Sequence, residues 1–132
     1  MDDITKKDME EALRSITSMI SRTENAKGKF VQGTSQHTLQ KNRLKALHIA
    51  SSLISKELAV RDAADCYTEE DLKNALAPIT SLISKSEKAR EKLKQGTWQL
   101  TMLSNHLKAL HIALPLLTRA LSGINAGKEQ TE

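Results

Sequence analysis

The residues of this chain best suited to metal or acid–base chemistry are its four histidines, and their spacing favours neither role. His106 and His111 are five residues apart, which sets them about 140° apart around a helix of 3.6 residues per turn. Asp, Glu and Cys are absent one helical turn away from either histidine, so the ligand set of a metal site is missing. We therefore predict that the chain holds no metal ion and no cofactor.

A second candidate is a polar cluster that occurs twice in the sequence. Lys45 and His48 match Lys108 and His111 at equivalent positions of two similar halves. An ammonium group near an imidazole could bind an anion or a nucleotide, or make a pH-sensitive contact. The alternative is that these histidines face solvent or an interface. Hydroxyl side chains also recur at equivalent positions of the two halves. They could allow close packing between helices, or they could bind an anion. These residues are Thr17, Ser18, Ser21, Thr80, Ser81 and Ser84.

The sequence carries none of the arrangements typical of enzymes. Paired carboxylates, a nucleophile elbow and a Cys/His pair are absent, and neither Gly-Thr step has the GK[ST] of a phosphate loop. The single Cys66 has no partner for an internal disulfide, which fits a reducing compartment. We predict a protein without enzymatic activity.

The elements that position these residues come from an internal duplication. Residues 4–58 align without a gap on residues 67–121, at a constant offset of 63 residues. The strings ITSMIS, QGT and LKALHIA match ITSLIS, QGT and LKALHIA. Apolar residues step by three and four in both halves, so each half is predicted to form two amphipathic helices. These residues are Met9, Leu13, Ile16, Ile20 and Phe30, and then Leu72, Leu76, Ile79, Ile83 and Leu93.

Each half also carries signals for where helices begin and end. Thr5 followed by Asp8 predicts the start of the first helix, because the hydroxyl can accept from first-turn amides. Gly33 predicts the end of that helix in a left-handed residue, and Thr34 predicts the cap of the next one. The second half repeats these signals at Thr68, Asp71, Gly96 and Thr97.

The predicted fold is an all-α, up-down-up-down four-helix bundle. The composition, with 39% hydrophobic, 27% charged and 2% aromatic residues, excludes a β-sandwich or barrel. The linker between the halves reaches about 30 Å at most, whereas a helix of about 26 residues is about 39 Å long, so both Gly-Thr turns should lie at one end. Within the single domain 1–132, the predicted parts are a hairpin at 4–58, a linker at 59–66, a hairpin at 67–121 and a flexible tail at 122–132, with Gly123 as a stop signal.

The last helix differs most between the two halves, because an uninterrupted leucine stripe runs along it. A second apolar stripe lies beside this one, whereas the equivalent helix of the first half has polar residues at three of the stripe positions. We interpret the stripe as a surface that buries against a partner protein or a second copy. The alternative is a more central place for this helix in the bundle. The predicted interaction residues are Leu100, Leu103, Leu107, Leu110 and Leu114.

The net charge of +4 and the isoelectric point near 9.3 permit contact with nucleic acid without demanding it. The excess is mild in each half, +5 in residues 4–58 and +3 in residues 67–121, and acids are interspersed. Trp98 and Phe30, both expected near the turns, are the aromatic residues that could stack on bases.

The sequence predicts no membrane-spanning segment. No run approaches the about 18 apolar residues of a membrane span and no signal peptide is evident, so we expect a soluble cytoplasmic protein with no membrane contact.

The string GTSQHTLQKNRLKALHIASSLI, with its partner GTWQLTMLSNHLKALHIALPLL, resembles small helical-hairpin proteins of Gram-positive gut bacteria and their phages or mobile elements. The resemblance covers most of each hairpin and implies no settled activity. A phage origin would imply the inhibition of a host defence, either by blocking a protein complex or by sequestering a nucleotide.

The sequence therefore favours a non-enzymatic helical interaction protein that binds a partner protein, or itself, through the leucine-rich last helix. One alternative is an inhibitor of host defence, or a nucleotide binder that uses the groove between the hairpins. A weaker alternative is a nucleic-acid binder.

Overall fold

Four helices make up the part of the chain that the structure describes. The computed structural model describes residues 5–59 and 67–130, with the backbone alone at residue 59 and after residue 123. No strand occurs within these ranges, so the predicted all-α bundle is confirmed. The helices are α1 (Lys6–Lys27), α2 (Ser35–Ala59), α3 (Glu69–Glu91) and α4 (Trp98–Gln130).

The predicted starts of α1 and α3 are confirmed as reciprocal caps. Thr5 Oγ1 accepts from the Asp8 N–H, and the Asp8 carboxylate accepts from the Thr5 N–H, both at 3.1 Å. Thr68 and Asp71 repeat the arrangement at 3.1 and 3.3 Å. Each pair satisfies amides that the first turn of a helix leaves without intrahelical partners.

The two glycines are left-handed as predicted, but their predicted position at the end of the first helix is wrong. Gly33 has φ +93° and Gly96 has φ +82°, yet α1 ends at Lys27 and α3 at Glu91. Each glycine lies directly before the threonine that caps the next helix. Thr34 Oγ1 accepts from the His37 N–H at 3.3 Å and donates to the Val31 carbonyl at 2.7 Å.

These caps make the connections longer than the predicted tight turns. Thr97 Oγ1 likewise accepts from the Leu100 N–H and donates to the Lys94 carbonyl, so each threonine ties a loop of six or seven residues, 28–34 or 92–97, to the helix after it. Phe30 therefore lies outside α1 and is exposed, although its spacing had placed it on the apolar face of that helix.

The two longest helices, α2 and α4, occupy the centre of the bundle. α1 and α3 each pack against α2 and α4, and α2 also contacts α4, whereas the described residues of α1 and α3 do not contact one another. Asp8 of α1 pairs with Lys108 of α4, whereas Ser18, ten residues later in α1, lines one cavity with Trp98 at the start of α4, so α1 and α4 are antiparallel. α1 also packs against α2 after the short loop 28–34 and is antiparallel to it, so α2 and α4 run in the same direction. Both loops therefore lie at one end of the bundle, as predicted.

The predicted end of the last helix at Gly123 is wrong. The backbone of α4 continues through this residue to Gln130, because one glycine costs a helix only about 1 kcal/mol. Of the predicted linker, Ala59 is the last residue of α2, and residues 60–66 lie outside the described part of the chain, as does Cys66.

Candidate binding surface and groove

Two repeat-equivalent ion pairs lie at the same level of the bundle. Lys45 Nζ is 3.0 Å from Asp71 Oδ1 between α2 and α3, and Lys108 Nζ is 3.2 Å from Asp8 Oδ1 between α4 and α1. Hydrogen bonds from Lys45 and Thr68 lower the pKa of Asp71, and those from Thr5 and Lys108 lower the pKa of Asp8. The two lysines predicted to bind an anion are thus already paired with carboxylates that also cap helices.

The histidines predicted beside these lysines lie outside the grooves that the lysines line, and their role as ligand contacts stays a prediction. His48 and His111 are exposed, and neither lines the α1/α4 cavities or the α2/α3 cavity. Lys45 and Lys108 lie in two different grooves. Each copy of the predicted cluster therefore has its lysine in a groove and its histidine outside these cavities.

A groove between α1 and α4 contains two neighbouring cavities of about 260 and about 450 Å³. Both are lined by Arg14, Ser15 and Asn105, so they form one continuous groove between the hairpins. The smaller cavity also contains Asp8, Glu11 and Lys108. The larger cavity adds Ser18, Trp98, Thr101, Met102 and His106.

The equivalent groove between α2 and α3 has diverged in chemistry. Its cavity of about 550 Å³ has Ala77 and Pro78 at the positions that match Arg14 and Ser15 at the offset of 63 residues. Leu39 occupies the place of Met102 in the α1/α4 groove. The α1/α4 groove thus has a guanidinium and a hydroxyl group at two positions where the α2/α3 groove has Ala and Pro, although polar side chains such as Asn42 and Asn74 line the α2/α3 groove as well.

His106 is a site residue that sequence reasoning missed. It is 7% exposed and lines the α1/α4 groove, yet its imidazole makes no hydrogen bond to another described residue. Burial, with the charge of Arg22, lowers its pKa below the usual 6.5, so the imidazole is neutral at pH 7. Its equivalent in the first half is Arg43. This difference between two otherwise similar halves is the sequence feature that could have identified the position.

Arg43 carries a partly buried guanidinium group. Its Nε and Nη2 atoms are inaccessible and have no hydrogen-bond partner in the described structure, and burial lowers the pKa of the group. An unsatisfied buried donor costs about 1 to 3 kcal/mol. The two unpaired donors of Arg43 therefore lower the stability of the fold.

We expect the protein to lose stability as the pH falls below about 6.5, the ordinary pKa of histidine. Because the pKa of His106 is lowered in the folded state, the unfolded chain takes up this proton first. The free energy of unfolding therefore falls through that window and levels off below the folded-state pKa. Urea titrations across the window test this, with His106→Gln expected to lose part of the pH dependence. An identical pH dependence in that variant would contradict it.

The carboxylates of Asp8 and Asp71 affect the free energy of unfolding in a separate window, below about pH 4.

The loop-bearing end of the bundle concentrates positive charge. We call residues 22–43 and 85–106 the turn end. This region holds ten Lys or Arg against three Glu, so the rest of the chain has a net charge of −3. The sequence analysis summed the charge over each half and therefore missed the difference between the turn end and the rest of the chain. A count of charged residues around each Gly-Thr step would have found it. The basic residues are Arg22, Lys27, Lys29, Lys41, Arg43, Lys85, Lys88, Arg90, Lys92 and Lys94.

The positive charge of the turn end is not neutralised within the chain. All four ion pairs of the described residues lie elsewhere in the bundle, and none of the ten basic side chains takes part in one. Eight of the ten are exposed, all except Lys27 and Arg43. The turn end therefore presents unpaired cations to solvent.

The same end carries the large apolar side chains that the fold leaves in solvent. Within the described ranges these are Phe30, Val31, Leu39 and Trp98, at 39, 74, 40 and 66% exposure. Two lie in the first loop, Leu39 lies five residues into α2, and Trp98 is the first residue of α4. Leu39 lines the α2/α3 groove and Trp98 the α1/α4 groove, so these side chains share one end of the bundle and do not form a single contiguous patch. Large apolar side chains left in solvent at one end are nevertheless candidates for contact with a ligand.

The chain's own core buries part of the leucine stripe of α4. Leu107 and Leu110 are 3% and 0% exposed, because α4 is central and packs against the other three helices. Leu100, Leu103 and Leu114 are half-buried. Contact of this stripe with a partner protein stays a prediction, but Leu107 and Leu110 are enclosed by their own chain.

Comparisons with protein-family models, with curated proteins and with solved structures find no match. Among the described residues, no helix is both long and apolar enough to cross a membrane. That same part of the chain holds no group of three or more His, Cys, Asp or Glu side chains placed for a metal ion.

Proposed function

We propose that this chain is a non-enzymatic, cytoplasmic binding protein whose turn end binds single-stranded nucleic acid. The observation that carries the proposal is the coincidence, at one end of the bundle, of ten unpaired basic residues and the exposed apolar side chains. Proteins that bind single strands combine a positive surface, which follows the phosphates, with aromatic rings on which bases stack.

The kind of cation supports a nucleic acid over an acidic protein. Seven of the ten basic residues of the turn end are lysines, and lysine is depleted at protein interfaces, where arginine is enriched. Flexible ammonium groups suit phosphate contacts that do not depend on sequence. The unsatisfied guanidinium of Arg43 adds positive potential to the same end.

The exposed rings support a single strand over a duplex. Trp98 and Phe30 leave much of their surface in solvent, and stacking requires the face of a base, which a duplex conceals between neighbouring pairs. An unpaired strand offers both the faces and the phosphates. The predicted partner protein or second copy of this chain remains an untested alternative.

A fluorescence-anisotropy titration with a labelled oligonucleotide of about 16 nucleotides, the upper site size of single-strand binding modules, tests the proposal. We expect saturable binding that is tighter than to a duplex of the same sequence and that weakens steeply between about 50 and 200 mM salt. Trp98 is the only tryptophan, so quenching of the intrinsic fluorescence should follow the same curve.

Polyglutamate of similar length is the matched probe, because it has negative charge without bases. Equal affinity for polyglutamate would assign the turn end to acidic peptides and overturn the proposal. The absence of oligonucleotide binding at low salt would overturn it as well.

A further inference from the structure

We infer that the groove between α1 and α4 binds one nucleotide unit, with its phosphate at Arg14 and its base against Trp98. This inference goes beyond the proposed function, because a free nucleotide could occupy the groove whether or not the turn end binds a strand. It rests on the groove's lining, on an unpartnered buried side chain and on the contrast with the sister groove.

The phosphate position follows from the charges in the groove. The larger cavity contains Arg14 and no acidic residue, whereas the smaller one contains Asp8 and Glu11. Arg14 takes no part in the ion pairs of the described chain. Its guanidinium group is exposed and free to form paired hydrogen bonds to phosphate oxygens, with the hydroxyl groups of Ser15 and Ser18 beside it.

The base position follows from Trp98 and His106. The Trp98 indole lines the larger cavity and is 66% exposed, so a ring ligand can stack on it. His106 is more than nine-tenths buried and lines the same cavity, and its imidazole makes no hydrogen bond to another described residue. An imidazole with one donor and one acceptor nitrogen matches the mixed donor and acceptor edge of a base.

The dimensions of the groove agree with a ligand of this size. The larger cavity alone is about 450 Å³, which lies within the range of about 300 to 1,000 Å³ typical of small-molecule sites. The amide of Asn105, shared by both cavities, lies where it can bond to the ligand between its ends.

The duplication provides the contrast that points to a ligand. At the offset of 63 residues, Arg14 and Trp98 are replaced by Ala77 and Ser35 in the other half. The ion pairs and the caps are retained in both copies. A requirement of folding alone would act on both grooves, so the added cation and ring of the α1/α4 groove indicate a separate role.

Calorimetric titration of the full chain with adenosine 5′-monophosphate tests the inference, with adenosine and inorganic phosphate as partial ligands. We expect the nucleotide to bind more tightly than either part. We expect Arg14→Ala, which introduces the residue of the sister groove, to weaken nucleotide binding about 10- to 100-fold, the range of a charge-assisted hydrogen bond. The control is Lys7→Ala, which removes an exposed cation of α1 that does not line the groove.

Three outcomes would overturn the inference: no heat of binding with the nucleotide, equal affinity for inorganic phosphate, or equal weakening by Arg14→Ala and Lys7→Ala. Parallel titration with the oligonucleotide separates the two proposals. Nucleotide binding without strand binding keeps the groove and refutes the proposed function. Strand binding that Arg14→Ala leaves unchanged, together with no nucleotide binding, keeps the proposed function and refutes the groove.

Discussion

A double variant with Lys29→Glu and Lys92→Glu should bind a single-stranded oligonucleotide at least about tenfold more weakly than the parent chain, because two phosphate contacts are lost and two repulsions added. These lysines occupy equivalent positions in the two loops, are exposed and take part in no ion pair of the described chain. The slope of log affinity against log salt should also become shallower by about one to two. Anisotropy titrations at several salt concentrations measure both quantities.

The matched control is Lys7→Glu with Lys56→Glu. Both lysines are exposed and lie outside the turn end, near the start of α1 and the end of α2. The net charge changes by the same amount in both double variants. If the control weakens strand binding as much as the loop variant does, the effect comes from the overall charge, and the turn end is not the binding surface.

Local rules predicted the parts of the fold that depend on neighbours in sequence. The caps formed by Thr5 and Thr68 involve residues three positions away, and the positive φ of Gly33 and Gly96 follows from the absence of a side chain. The duplication added a strong constraint, because the predicted helical hairpin had to agree with the sequences of both halves. For these reasons the four helices and their up-down-up-down order could be predicted.

The functional surface depended on information that local rules do not carry. Its charge arises because two basic segments, residues 22–43 and 85–106, meet at one end of the bundle although 63 residues separate them in sequence. Each segment alone has only five Lys or Arg residues, against one Glu in the first and two in the second. The groove depended likewise on which helices become neighbours: Arg14 and His106 belong to different hairpins, and only the packing of α1 against α4 brings them together.

The leucine stripe also shows that a sequence pattern does not identify the neighbour of a helix face. Steps of three and four residues define one face of a helix, but they do not distinguish a face that meets the chain's own core from one that meets a partner. α4 is apolar over much of its circumference because it is central and packs against three other helices. A second copy is not needed to bury Leu107 and Leu110.

Substitutions along this stripe separate folding from association. Leu110→Ala should lower the free energy of unfolding by about 2 to 5 kcal/mol, the cost of a cavity at a fully buried leucine, since Leu110 is 0% exposed. Leu103→Ala, at a half-buried position, should cost about 1 kcal/mol. Leu110→Met conserves volume and should cost less than about 1.5 kcal/mol. Urea denaturation of the three variants and the parent measures these differences.

Sedimentation of the same variants addresses the predicted partner surface. If α4 serves the core alone, Leu103→Ala leaves the sedimentation coefficient of the folded protein unchanged, and stability decreases in the order of burial. If Leu103→Ala instead dissociates a dimer of the parent chain while Leu110→Met does not, the half-buried margin of α4 is a contact between copies. The order of stability then no longer follows burial within one chain, because subunit association adds to the stability of the parent in a concentration-dependent way. Repeating the denaturation at two protein concentrations therefore distinguishes a helix buried by its own bundle from one completed by a second molecule.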